Sequence, residues 1–235
     1  MAPFKEFTNW NNRFSDNEEQ VEPYRKYYFL CEGENTERWY FEKLINDQKV
    51  LKIHPSIDIR FLERTGEDSH VSHPKRLLEY ANALKEELKD FDQEHDKFVI
   101  VFDSDIYNNK QTELMELIKE IEAAGHLVAM TNPSFELFLL LHIEKSFEEI
   151  ISKEEKNILD NKKVGNQRCI ASLLRKATGW NAKRNEKIGE LYKFIDIEIE
   201  QENLVNQNIY DSQGRLTCNL GKIIESIRRD GVISD

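Results

Sequence analysis

Apolar residues fall along this chain in short blocks whose spacing alternates between that of a strand and that of a helix. Tyr27-Tyr28-Phe29-Leu30-Cys31 is a continuous apolar run that stops at Glu32-Gly33-Glu34, as expected of a strand covered on both faces. Asn35 or Thr36 can cap a helix over about 37–47 that turns Trp39, Tyr40, Phe41, Leu44 and Ile45 towards a core. Residues 57–62 alternate apolar and polar and predict a second strand. Pro74 suits the first turn of a helix to about residue 91, with Leu77, Leu78, Ala81, Leu84 and Leu88 at helical spacing. Phe98-Val99-Ile100-Val101-Phe102 is a third strand, ending in Asp103-Ser104-Asp105. Leu114, Leu117, Ile118 and Ile121 mark the next helix, and Gly125 stands where a left-handed stop belongs. A fourth strand is expected over 126–130, followed by a buried helix over 135–142.

Strand–helix alternation over residues 27–130 predicts an α/β fold: a Rossmann-like, mostly parallel sheet flanked by helices on both faces. Ligands of such sheets bind beyond the carboxyl ends of the strands. From residue 146 onward the pattern turns helical, with helices expected over 147–159, 167–177, about 184–205 and 220–229. Three regions follow: a polar arm over 1–23, an α/β domain over 24–145, and a helical region over 146–235. The pattern leaves open whether that last region stands apart or packs on the same core.

Composition narrows the class. The 235 residues are 39% hydrophobic and 10% aromatic, too apolar for a disordered chain, and nine Gly with five Pro are too few for a turn-rich all-β fold. Cys31, Cys169 and Cys218 are odd in number and lack CxxC spacing, so neither a zinc site nor a disulfide framework is expected. No apolar run reaches membrane-spanning length, and the polar N-terminal stretch has no signal-peptide core. A cytoplasmic protein with reduced thiols is the expectation.

The formal net charge of −11 is unevenly placed. Residues 1–145 carry 18 basic and 29 acidic side chains, and hold the whole excess; residues 146–235 carry 15 of each. An acidic chain is a poor general coat for phosphate backbones. It suits an enzyme that holds metal ions between itself and a nucleic acid. Within 161–187, however, eight basic residues face one acid, Glu186. Lys162, Lys163, Arg168, Arg175, Lys176, Lys183 and Arg184 are candidates for nucleic-acid contact, with Trp180 available to stack on a base. A solvated helical face is the plainer account of the same charges.

The candidate chemistry lies at the strand ends. Asp103 and Asp105, two residues apart after a buried strand, are expected to leave it on one side and to relieve their repulsion with a divalent cation. Glu32, at the end of another strand, adds a third carboxylate, and Glu136 a fourth unless it serves only a helix start capped by Ser134. His142, inside an apolar helix, reads first as a core histidine. Asp68, His70 and His73 lack a convincing third ligand. No GxGxxG, GxxxxGK[ST] or GxSxG motif is present. Phosphodiester cleavage or transfer is the natural reaction class, with Mg2+ stabilising charge and an unliganded carboxylate moving protons.

Three segments carry a resemblance. Cys31-Glu32-Gly33-Glu34-Asn35-Thr36-Glu37 with Tyr40-Phe41, then Phe102-Asp103-Ser104-Asp105, then Asn132-Pro133-Ser134-Phe135-Glu136 through Leu141-His142, resemble the ordered motifs of RloB-like proteins. Phe138 stands where the family often has Trp. The resemblance spans residues 24–145; beyond it only Asn219, in Thr217-Cys218-Asn219-Leu220-Gly221, matches a family segment. The resemblance implies a TOPRIM-like fold, shared with topoisomerases, DnaG-type primases and OLD-family nucleases. It implies Mg2+, or Mn2+, held by Asp103, Asp105 and Glu32, with Glu32 or Glu136 as general acid or base. It further implies a toxic nuclease effector of an anti-phage, abortive-infection system, cleaving RNA such as tRNA, or DNA. An SMC/ABC-like ATPase encoded nearby would be its partner, and a homodimer is expected by the same analogy. The competing reading is an inactive adaptor that docks the ATPase.

Overall fold

The computed structural model describes residues 4–8, 24–33, 35–64 and 73–230. The elements in chain order begin with β1 (Phe4–Thr8), β2 (Arg25–Cys31), α1 (Thr36–Asn46), α2 (Gln48–Leu51), β3 (Ile57–Arg64) and α3 (Pro74–Glu87). β4 (Lys97–Asp103), α4 (Gln111–Ala123), β5 (Leu127–Asn132) and α5 (Glu136–Leu141) follow. A π-helical turn (Phe147–Ile151) leads into α6 (Ser152–Leu159), then the short hairpin β6 (Lys163–Val164) and β7 (Gln167–Arg168), and α7 (Cys169–Thr178). A 3-10 helix (Glu186–Phe194) runs into α8 (Ile195–Glu202), and β8 (Thr217–Cys218) and α9 (Leu220–Arg229) close the order.

Six strands form one sheet in the order β1-β3-β2-β4-β5-β8. The four central strands are parallel, and Phe29 in β2 pairs with both Phe61 in β3 and Val99 in β4. Alternation along β2 sorts its side chains onto two cores. Tyr27, Phe29 and Cys31 face the cluster containing α1, α5 and the later helices; Tyr28 and Leu30 face the one containing α3 and α4. Each fully buried Phe or Leu contributes roughly 1.5–3 kcal/mol. Unbroken apolar strands therefore hold this sheet from both sides.

The mixed α/β fold agrees with the sequence pattern, and the four central strands fall close to their expected places. Three differences have physical causes. β1 lies within the stretch read as a polar arm. It pairs antiparallel with β3, and its Phe4 and Phe7 pack on opposite cores. Residues 167–168 belong to the β6–β7 hairpin, so α7 begins at Cys169 rather than 167. β8 pairs antiparallel with the end of β5, through Thr131 with Cys218 and Asn132 with Thr217. Leu174, Ile188, Ile195, Ile224 and Ile227 share one apolar cluster with Phe29 and Phe41, so the later helices pack on the core of the sheet. Among the described residues no helix is long and apolar enough to cross a membrane.

Candidate metal centre

The parallel register brings three strand ends together. Glu32 follows β2, and its backbone N–H donates to Val101 O at 3.0 Å, extending the ladder by one bond. Asp103 is the last residue of β4 and pairs with Thr131 of β5; its backbone N–H donates to the Glu32 carboxylate at 3.3 Å. Beyond β5, Glu136 opens α5 and is fixed by the Ser134 hydroxyl, which donates to it at 2.6 Å. Ser134 thus serves the carboxylate and makes no helix cap. Glu37 reaches the same place from the first turn of α1. These four acids, with Gly33, Asn35, Thr36, Phe135, Arg168 and Lys183, line a cleft of about 410 Å3.

In the sequence Glu37 only closed the Cys31–Glu37 motif segment, with no role assigned to it. The clue to more is Gly33, where a Cβ would collide with the Glu37 carboxylate. A glycine there lets that carboxylate lie over the β2–α1 turn.

The carboxylates crowd one another. Burial first, then Glu37, Glu136 and Glu32, push the Asp103 carboxyl well above the usual carboxylate range. The opposing influence is the Thr131 hydroxyl, which donates to Asp103 at 2.7 Å. The four acids are nonetheless spread out, with no three of their oxygens mutually within 4.8 Å. Such spacing suits a hydrated cation that keeps several waters and takes one or two carboxylates, as Mg2+ does. The residues present fit the ion.

Asp105 is placed differently from the expectation. β4 ends at Asp103, Ser104 is helical, and Asp105 starts a 3-10 turn (Asp105–Tyr107), so strand alternation does not carry through to it. It does not line the cleft, and it forms an ion pair with Arg168. Of the seven basic candidates, Arg168 and Lys183 line the cleft. Lys162, Lys163, Arg175, Lys176 and Arg184 are exposed and do not line it. Trp180 is partly buried against the core, its ring already engaged in packing. His142 is a core histidine: its Nε2 lies 2.8 Å from the Tyr40 hydroxyl, its Nδ1 2.8 Å from Phe138 O, and burial pushes it down to about 3. His73 caps α3 by accepting from the Lys75 backbone N–H; Asp68 and His70 lie outside the described residues.

The family model for RloB-like protein matches residues 27–227, well over half of the sequence. The chain belongs to the RloB-like family. No curated protein and no solved structure matches it. The RloB-like match runs on through the helical region, further than the motifs reach. Asn219 shows one reason for that continuity. Its side chain accepts from Met130 N and donates to Val128 O, both at 2.7 Å, so it stands in for a strand beside β5.

A second acidic group in this RloB-like chain escaped the sequence reading. Glu198 and Glu202, one turn apart on α8, meet Cys218 with ligand atoms mutually within 4.8 Å, all three buried. Glu202 accepts from the Gly221 and Lys222 backbone N–H groups at 2.7 and 2.9 Å, capping α9 from outside. Burial and the neighbouring Glu202 push the Glu198 carboxyl well up, and its Oε2 has no hydrogen-bond partner. Gly221 leaves room for that carboxylate, which a Cβ would strike.

Proposed function

We propose that this RloB-like chain is a Mg2+- or Mn2+-dependent phosphodiesterase that cleaves nucleic acid, RNA before DNA. The observation that carries this reading is the convergence of Glu32, Glu37 and Glu136 around a desolvated Asp103 at the carboxyl ends of parallel strands. Asp103 and Glu32 would hold the ion, with Glu37 or Glu136 completing its shell. When bound, the ion stabilises charge on the phosphoryl group and activates the attacking water.

The rest is work for the side chains. A carboxylate left outside the ion's shell, Glu136 or Glu32, takes up the proton released in the attack. Ser134 keeps Glu136 pointed into the cleft. Arg168 and Lys183 at the mouth offer the opposite charge that a phosphate backbone needs. The acidic majority of the surface then keeps other polyanions away. Likeness to the RloB-like family supports the wider role: an anti-phage effector held by an ATPase partner and acting as a dimer.

The test is expression of the full chain, wild type against Glu32→Gln, with sequencing of cellular RNA and DNA ends, alone and with the partner ATPase during infection. New ends that depend on Glu32 support the proposal and name the substrate. If neither condition yields them, the chain is an adaptor and the enzymatic reading falls.

A further inference from the structure

Arg168 connects two places that the chemistry needs joined. It pairs with Asp105, whose side chain is 8% exposed, while its own, 45% exposed, lines the carboxylate cleft. Asp105 follows Asp103 by two residues, yet Asp103 alone of the two faces the cleft. The other cation at the mouth, Lys183, has no carboxylate partner among the described residues.

The Asp105 carboxylate is largely buried, so drawing Arg168 away leaves it uncompensated at a cost of several kcal/mol unless another cation takes its place. A phosphodiester offers a guanidinium the same charge as a carboxylate and matches its fork of donors. A phosphate entering the cleft therefore competes for Arg168 best when a cation takes over the carboxylate it leaves. When it wins, Asp105 is left as an unpaired carboxylate beside a cleft already rich in them, and the most favourable new partner is a divalent cation. We infer that Arg168 couples the two sites, so that phosphate binding draws it off Asp105 and raises the affinity of the cleft for its cation. This rests on the cation reading above and goes beyond it. In the substrate-free chain Arg168 neutralises the second carboxylate of the pair. Coupling of this kind is reciprocal, so the cation tightens phosphate binding by the same factor.

The experiment measures Mn2+ affinity of the purified full chain by electron paramagnetic resonance, with and without a phosphorothioate-linked tetranucleotide. Wild type is expected to bind Mn2+ on the order of 10-fold more tightly with the tetranucleotide present. Arg168→Ala, at an exposed position, should bind Mn2+ more tightly than wild type without the tetranucleotide and gain nothing on its addition. Lys183→Ala removes the same charge from the same cleft but should keep the tightening, which separates coupling from simple electrostatics. Arg168→Lys, which keeps charge without the fork, should retain only part of it. Thermal melting of each variant confirms folding. Wild type that binds Mn2+ equally with and without the tetranucleotide overturns the inference and leaves the cation reading standing. So does Arg168→Ala that still tightens fully. Wild type that binds no Mn2+ overturns both.

Discussion

Two acidic clusters stand out among the described residues, and they differ in how they would treat a metal. At the strand ends, Glu32, Glu37, Asp103 and Glu136 share a cleft in which three of them raise the fourth. On α8, Glu198 and Glu202 lie closer to a third ligand than the cleft acids do to one another. By distance alone the second is the better cage. It is the poorer candidate, because both Glu202 oxygens already accept backbone N–H groups at the positive end of α9, which repels a cation. Burial, then the neighbouring Glu202, push the Glu198 carboxyl well up, which favours its protonated form. Repulsion between carboxylates can be relieved by a helix end, by a proton or by a metal, and the first two are used on α8.

That contrast can be broken experimentally. The largest effect is expected from Asp103→Asn, which should cut cleavage roughly 10^3-fold, as losing a main charge-stabilising element does. The same change should raise the melting temperature in EDTA, since it removes a carboxylate whose charged form the folded cleft disfavours; calorimetry reads this directly. Glu202→Ala should do the reverse. It strands one buried and one part-buried N–H group and should cost about 2–3 kcal/mol in urea unfolding, while the thermal response to Mn2+ survives.

Third comes the ion itself. Mn2+ at about 100 times its Kd should stabilise wild type by roughly 2.7 kcal/mol in thermal melting. Asp103→Asn should lose that response, and Glu198→Gln should keep it. The smallest effect is pH-dependent. Because Glu198 keeps its proton in the folded chain above the ordinary glutamate value of 4.5, its contribution is complete below that pH and is lost as pH rises towards its folded value. Glutamine has no proton to lose. Glu198→Gln should therefore melt within a degree of wild type near pH 4.5 and pull ahead as pH rises, by up to about 1.4 kcal/mol per pH unit until the folded value is passed.

The fold was legible where burial on both faces leaves uninterrupted apolar runs, as in β2 and β4. Glu32, Asp103 and Glu136 were legible because parallel strands must end together, so acids at those ends must meet. β1 was hidden because a five-residue edge strand rests on a partner more than fifty positions away, and Phe4 and Phe7 stand among polar neighbours. Glu37 closed the first motif without a strand end to mark it as an acid of the cleft. Asp105 was misjudged in its direction because one helical residue, Ser104, ends the alternation. Glu198 lies in Ile195-Asp196-Ile197-Glu198-Ile199-Glu200 and Glu202 just beyond it, where period-two alternation conceals which acids a helix turns inward.

The outer edge of β5 is finished by β8 and by the Asn219 side chain, and these are made long after Glu136. Before residues 217–219 leave the ribosome, the strand that carries Thr131 and Asn132 has no neighbour on that side, and Asn132 lacks the Ser212 and Arg215 carbonyls to which it donates. Domains fold as their segments emerge. The carboxylate cleft is thus set in place late, after most of the chain has been made.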